Sequence, residues 1–168
     1  MKNRKRNRMK GYDYSRNNMY FVTVCVQDRE CCFGNIISEG ATRELSVHNH
    51  MELNAFGEIA QKRLLWLEER YDYVVLHSHI VMPNHIHAII EIDSNLIEDK
   101  KTKIKSLSEL MGAYKTTSSK LIHKTGYLAF KWQRSFHDHI IRNTIAFENI
   151  SRYIDTNANQ WKKDTFFK

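Results

Sequence analysis

The chain has 168 residues, 42% of them hydrophobic, and a formal charge of +7, which is room for one domain with a proper core and tight for two. No run approaches the roughly 18 apolar residues of a membrane span. The basic N-terminus leads into no apolar signal segment, and Cys25, Cys31 and Cys32 form no C-x-x-C pair, so reduced thiols in a cytoplasmic protein are expected, with no membrane partner.

The positive charge is uneven. Lys2, Arg4, Lys5, Arg6, Arg8 and Lys10 crowd the first ten residues, and Lys100, Lys101, Lys103 and Lys105 form a second cluster. Such runs are either solvated tails or grips for a polyanion, and nucleic acid is favoured only if a phosphate-handling site exists elsewhere. With no repeat, linker or composition shift, the expectation is one domain over 1–168 with a basic arm over 1–18.

Met19 to Gln27 is rich in β-branched and aromatic residues and reads as a strand. Between Cys31 and Asn54 the pattern is weak, with room for small strands around Gly34 and Gly40. Ala55 to Arg70 spaces Ile59, Leu64, Leu65 and Leu67 as a helix does. Tyr73 to Val81 and His85 to Ile92 read as two strands joined by a turn at Met82-Pro83-Asn84. Glu98 to Lys105 reads as a loop. The stripe Leu107, Leu110, Met111, Tyr114, Leu121 and Ile122 predicts a helix packed on a sheet. Asn143 or Thr144 caps a last helix through about Asn157, with Phe147, Ile150, Ile154 and Trp161 as its buried side. Interleaved strands and helices with closely linked strands predict an α+β fold with an antiparallel central sheet flanked by helices.

Eight of the nine histidines fall into four His-x-His pairs: His48/His50, His77/His79, His85/His87 and His137/His139. On a strand, residues two apart share a face, so such a pair makes half of a divalent-metal site. His48/His50 sits in a polar stretch that reads as an exposed turn. His77/His79 is on a predicted strand whose Ser78 would share a face with Val74, Leu76 and Ile80, and it remains a competitor. His137/His139 follows an aromatic and basic segment. His85/His87 has the strongest context, a tight turn before it and an apolar face of Ile86, Ala88, Ile90 and Ile92 beneath it.

Two imidazoles need at least one further ligand, and a helix over the sheet is a natural source. Tyr153 and Asn157, four apart, stack on one helix face, which offers a carboxamide oxygen and a phenol one turn away. The competing arrangement is Tyr114 with Ser118. A serine hydroxyl is the poorer ligand, and Tyr114 fits the apolar stripe as a core residue.

Several segments, in order, resemble the HUH single-tyrosine transposases of the smallest insertion sequences and the related REP-associated tyrosine transposases. They are Lys10-Gly11-Tyr12-Asp13-Tyr14-Ser15 leading into Tyr20-Phe21-Val22-Thr23-Val24, then Val81-Met82-Pro83-Asn84-His85-Ile86-His87. Trp132-Gln133-Arg134 through Ile141-Arg142-Asn143 follows, and Arg152-Tyr153-Ile154-Asp155-Thr156-Asn157 completes the set. The resemblance implies a ferredoxin-like HUH-nuclease architecture, with Tyr153 as nucleophile and His85, His87 and Asn157 as ligands of Mg²⁺ or Mn²⁺. It also implies cleavage and rejoining of single-stranded DNA beside hairpins through a 5′-phosphotyrosine link; the alternatives are a non-catalytic hairpin-binding regulator derived from such an enzyme and a zinc-dependent hydrolase whose histidine pairs hold the metal. Arg4, Lys5, Arg6, Arg8, Lys10, Arg134 and Arg142 become candidate phosphate contacts, and Tyr12 and Trp132 candidate stacking platforms, although each of these two also fits a core or hinge aromatic. His139 is a neighbour of the site. Relatives work as monomers or as homodimers that exchange the tyrosine helix, and both stay open. Ala158 stands where family members commonly have proline, which bears on how the last helix ends. The chain ends soon after Trp161, so DNA contacts made by the longer tail of some members are expected to be absent or replaced.

Overall fold

Helix starts are written in the side chains. In the computed structural model, which describes residues 9–39, 48–99 and 101–167, Asn54 caps α1 (Ala55–Arg70) by accepting from the backbone N–H of Phe56 and Gly57, both at 3.0 Å. Ser106 and Glu109 form a reciprocal capping box at the start of α2 (Leu107–Lys124). Asn143 accepts from Ala146 N–H at 2.8 Å to open α3 (Thr144–Asp155). Each cap satisfies first-turn donors that the helix itself leaves unpaired.

Six strands accompany them: β1 (Asn18–Cys25), β2 (Gly34–Glu39), β3 (His48–Leu53), β4 (Val74–Met82), β5 (His85–Ile92) and β6 (His137–Ile141). The main sheet has the order β4-β5-β1-β6, with every neighbouring pair antiparallel, while β2 and β3 form a separate hairpin. Setting that hairpin aside, the chain runs β-α-β-β-α-β. β5 lies between the parallel pair β1 and β4, and β1 lies between the parallel pair β5 and β6. That is the ferredoxin-like split β-α-β arrangement, so the expected α+β class with an antiparallel sheet is what the chain adopts. Gly34 opens β2 at φ +135°, where an added Cβ would lie 2.0 Å from the Glu52 carbonyl oxygen; only glycine lets the two strands approach there.

Apolar clusters pack on both faces of the sheet. One face sends Tyr20, Val22, Val24, Ile86, Ala88 and Ile90 into the main core against Leu64 and Leu67 of α1 and Leu110, Met111 and Tyr114 of α2. The opposite face carries a smaller cluster of Ile89, Ile141 and Ile154 with Phe21, Phe147 and Ile150, and α3 covers it. Alternation along β5 therefore puts Ile86, Ala88, Ile90 and Ile92 beneath, and His85, His87 and Ile89 on the α3 side.

Three expectations change. His48 and His50 lie on β3, not in a turn, although both are exposed; backbone pairing with β2 overrides a weak side-chain pattern. In β4 the register shifts between Leu76 and His79. Val74 and Leu76 consequently belong to the main core while Ile80 turns to the α3 side, so the common face expected of Val74, Leu76, Ser78 and Ile80 does not exist. α3 ends at Asp155, and Asn157–Lys163 continues as a 3₁₀ turn. Trp161 thus leaves the helix and its ring comes to lie 6.0 Å from that of His85.

Candidate metal and nucleophile centre

β5 begins directly after the two-residue turn Pro83-Asn84, so His85 is held at the mouth of the hairpin and His87 one pleat further in. Both rings are buried, and their Nε2 atoms face each other at 3.0 Å. The Asn84 amide nitrogen donates to the carbonyls of Arg29 (3.1 Å) and Phe166 (2.9 Å), which leaves its Oδ1 as acceptor for His85 Nδ1 at 2.8 Å. This network assigns the His85 proton to Nδ1 and turns a bare Nε2 lone pair into the site. His87 Nδ1 is engaged at 2.8 Å by Thr23 Oγ1 from the neighbouring β1. An outer hydrogen bond that fixes the ring in this way is what metal-ligating histidines need. Burial drives the pKa of both imidazoles down to about 3, helped at His85 by the Arg29 charge and at His87 by His85. Both are neutral donors at physiological pH.

α3 lays the tyrosine over this pair. Tyr153 Oη is 3.3 Å from His87 Nε2 and donates at 3.3 Å to Asp164 Oδ2; its ring packs edge-on to Phe21 and against His87. Asn157, four residues on, donates its amide to the same Asp164 oxygen at 3.0 Å. Its Oδ1 is buried without a hydrogen-bond partner among the described residues. Burial, followed by the charge of Asp164, pushes the Tyr153 pKa up to about 12, so the hydroxyl is protonated at neutral pH.

His85, His87, Tyr153 and Asn157, four residues singled out by motif and spacing, thus meet in one chain. Asp164 was not foreseen. It lies beyond the 3₁₀ turn, where no spacing rule points to a site, yet its carboxylate is within 4.8 Å of the His85 and His87 nitrogens. The donor set of two neutral imidazoles, one carboxylate and one unpaired carboxamide oxygen has the composition of a divalent-cation site.

The other candidates fall elsewhere. Trp132 is only 7% exposed, packs on Phe33, Phe130 and Tyr114, and donates its indole N–H to Ser118 Oγ at 3.0 Å. It is a core residue and offers no face for base stacking. Tyr114 is fully buried on the α2 side, with Ser118 bonded to its carbonyl, so the competing tyrosine-serine pair lies on the opposite face of the sheet from the histidines. Tyr12 is half-buried, accepts from Asn18 at 2.8 Å and stands edge-on to Tyr14. Lys10, Arg134 and Arg142 are exposed, while Arg4, Lys5, Arg6 and Arg8 lie outside the described residues. His139 pairs with Phe21 across β1–β6 and lines, with Arg142, Asn143 and Tyr14, a cavity of about 430 Å³ beside the start of α3. His77 binds Glu91 at 2.7 Å on the α3 side of the sheet, against Phe147 and toward the end of β5 away from His85. No helix among the described residues is long and apolar enough to cross a membrane.

No protein-family model matches the chain. A curated relative, an uncharacterised protein of Haemophilus influenzae, is 27% identical over 173 residues, covering 95% of this chain and 91% of its own length. Among solved structures, a REP-associated tyrosine transposase bound to a REP hairpin superposes with a TM-score of 0.58 at 18% identity, over 91% of this chain and 73% of that one. The chain shares that protein's fold.

Proposed function

We propose that this protein is an HUH-type enzyme that nicks and transfers single-stranded DNA beside hairpins. The observation that carries the proposal is the Tyr153 hydroxyl standing 3.3 Å from His87 Nε2, over a buried imidazole pair, within one chain. The shared fold with a hairpin-bound transposase agrees with it.

Tyr153 Oη is the nucleophile. Its ring is held by Phe21 and His87, and its hydroxyl is aimed by hydrogen bonds to His87 and Asp164. In the reaction a bond forms from Oη to phosphorus and the bond to the 3′ oxygen breaks; the phenol gives up its proton and the departing 3′ oxygen takes one up, with no net change in protons. The products are a 5′-phosphotyrosine and a free 3′-hydroxyl. The covalent link keeps the phosphodiester energy, so a 3′-hydroxyl can reverse the step without ATP. His85, His87 and Asn157 would hold Mg²⁺ or Mn²⁺, for which the facing Nε2 atoms and the unpaired Asn157 Oδ1 are suited. When bound, the cation supplies charge neutralisation and alignment at the scissile phosphate. Lys10, Arg134, Arg142 and the basic N-terminal arm grip the strand's phosphates, an attraction that weakens with salt.

The test is a denaturing gel of the protein mixed with hairpin-flanked single strands labelled at the 3′ end, with Mn²⁺. A labelled band at protein plus oligonucleotide mass is expected. Salt-sensitive binding with no such band under any divalent metal would instead make the protein a hairpin-binding regulator.

A further inference from the structure

The carboxylate at position 164 has two neighbours that nothing in the motif explains. Oδ2 receives both the Tyr153 hydroxyl and the Asn157 amide, at 3.3 and 3.0 Å. Oδ1 receives the Phe166 backbone N–H at 2.6 Å. The segment around it is tied down independently. The Phe166 carbonyl accepts from Asn84, the Thr165 carbonyl accepts from Arg29 at 3.0 Å, and the Phe166 ring lies 4.8 Å from that of His85. The chain therefore spends three contacts outside the carboxylate itself on holding Asp164 beside the imidazole pair. An anion placed next to buried, neutral nitrogens calls for a cation, because without one its half-buried charge faces no positive side chain at hydrogen-bond distance among the described residues.

We propose that Asp164 is the anionic ligand of this cation site, with His85 and His87, and that the resulting two-nitrogen, one-carboxylate set takes a transition-metal dication of the Mn²⁺ type in preference to Mg²⁺. The inference rests on the reading of the histidine pair as a cation site and deepens it. Mg²⁺ favours oxygen-only, octahedral surroundings and keeps its waters, whereas imidazole nitrogens suit the first-row transition ions. Asn157 then acts through Asp164 as well as through its own free oxygen, because its amide pins the carboxylate oxygen that Tyr153 also uses.

Isothermal titration of the full chain with MnCl₂, and separately MgCl₂, reads this without any cleavage. Wild-type protein is expected to bind one Mn²⁺ at least tenfold more tightly than Mg²⁺. Asp164→Asn, close to isosteric, is expected to weaken Mn²⁺ by on the order of 10–100-fold, while His50→Ala on the exposed hairpin changes nothing. Quenching of Trp161 fluorescence by Mn²⁺ gives a second reading, since its ring lies 6.0 Å from that of His85. Asp164→Glu, which keeps the charge, is expected to restore part of the affinity and guards against misfolding of the first variant. Undiminished Mn²⁺ binding in Asp164→Asn, or Mg²⁺ binding as tight as Mn²⁺, overturns the inference and leaves the histidine pair standing. Absence of Mn²⁺ binding in the wild type sinks both.

Discussion

Replacing Tyr153 by phenylalanine separates chemistry from architecture with one oxygen atom. The ring keeps its contacts, with centroids 5.2 Å from His87 and 6.1 Å from Phe21. What is lost is a pair of hydrogen bonds, both long at 3.3 Å and both made by a side chain that is 39% exposed. Each sits at the weak end of the range, about 0.5 kcal/mol, so the total cost is about 1 kcal/mol before any discount for solvent. For a chain of this size that shifts Tm by about 2–4 °C. The covalent adduct, in contrast, requires the missing oxygen and should disappear entirely. Paired assays decide the matter: thermal denaturation for the fold, hairpin affinity by fluorescence anisotropy, and the denaturing gel for the adduct. An adduct that survives in Tyr153→Phe, and vanishes in Tyr114→Phe or Tyr12→Phe, refutes the assignment. A fall in Tm beyond ~10 °C would refute the energetic reasoning, since it needs a loss several times the estimate above.

Three further outcomes follow from the same structure. Thr23→Val removes the hydroxyl facing His87 Nδ1 and leaves a buried ring nitrogen without its partner, at a cost of about 1–3 kcal/mol; urea unfolding without metal measures it, and an unchanged midpoint would refute it. Trp132→Phe loses ring volume in the core and the bond to Ser118, destabilising by about 1–3 kcal/mol, while the affinity of the folded variant for hairpin DNA stays that of the wild type. Lower affinity at unchanged stability would return Trp132 to the DNA surface. Burial raises the Cys25 thiol to about 11 and the Cys32 thiol to about 12. Raised values keep both protonated at pH 8, so iodoacetamide should modify exposed Cys31 first, as read by mass spectrometry, with the other two reacting on unfolding or as pH nears their values.

Elements whose own side chains carry their signal were legible in the chain. α1 and α2 announce themselves by apolar residues at helical spacing, α3 by the capping Asn143, and β5 shows its two faces in the alternation of His85, His87 and Ile89 with Ile86, Ala88 and Ile90. β3 and β6 were not, because they are polar and partly exposed, and pairing with distant residues makes them strands; Thr23 opposite His137 is an example. The bulge in β4 was likewise hidden, since a register shift leaves no compositional mark. At the site, spacing made Tyr153/Asn157 and Tyr114/Ser118 comparable, and only ligand chemistry and the apolar stripe around Tyr114 favoured the first. Which face of the sheet each helix covers is a tertiary fact. Asp164 was invisible for a related reason: a 3₁₀ turn of seven residues folds it back onto strands some eighty positions earlier.

The tyrosine and the imidazoles that meet here belong to the same polypeptide. If that arrangement persists when copies associate, two defective copies cannot repair one another. Mixing Tyr153→Phe with His87→Ala protein would yield no hybrid centre with all its parts, and co-expression in one cell would show no complementation. A gene encoding such a protein would work, or fail, one molecule at a time.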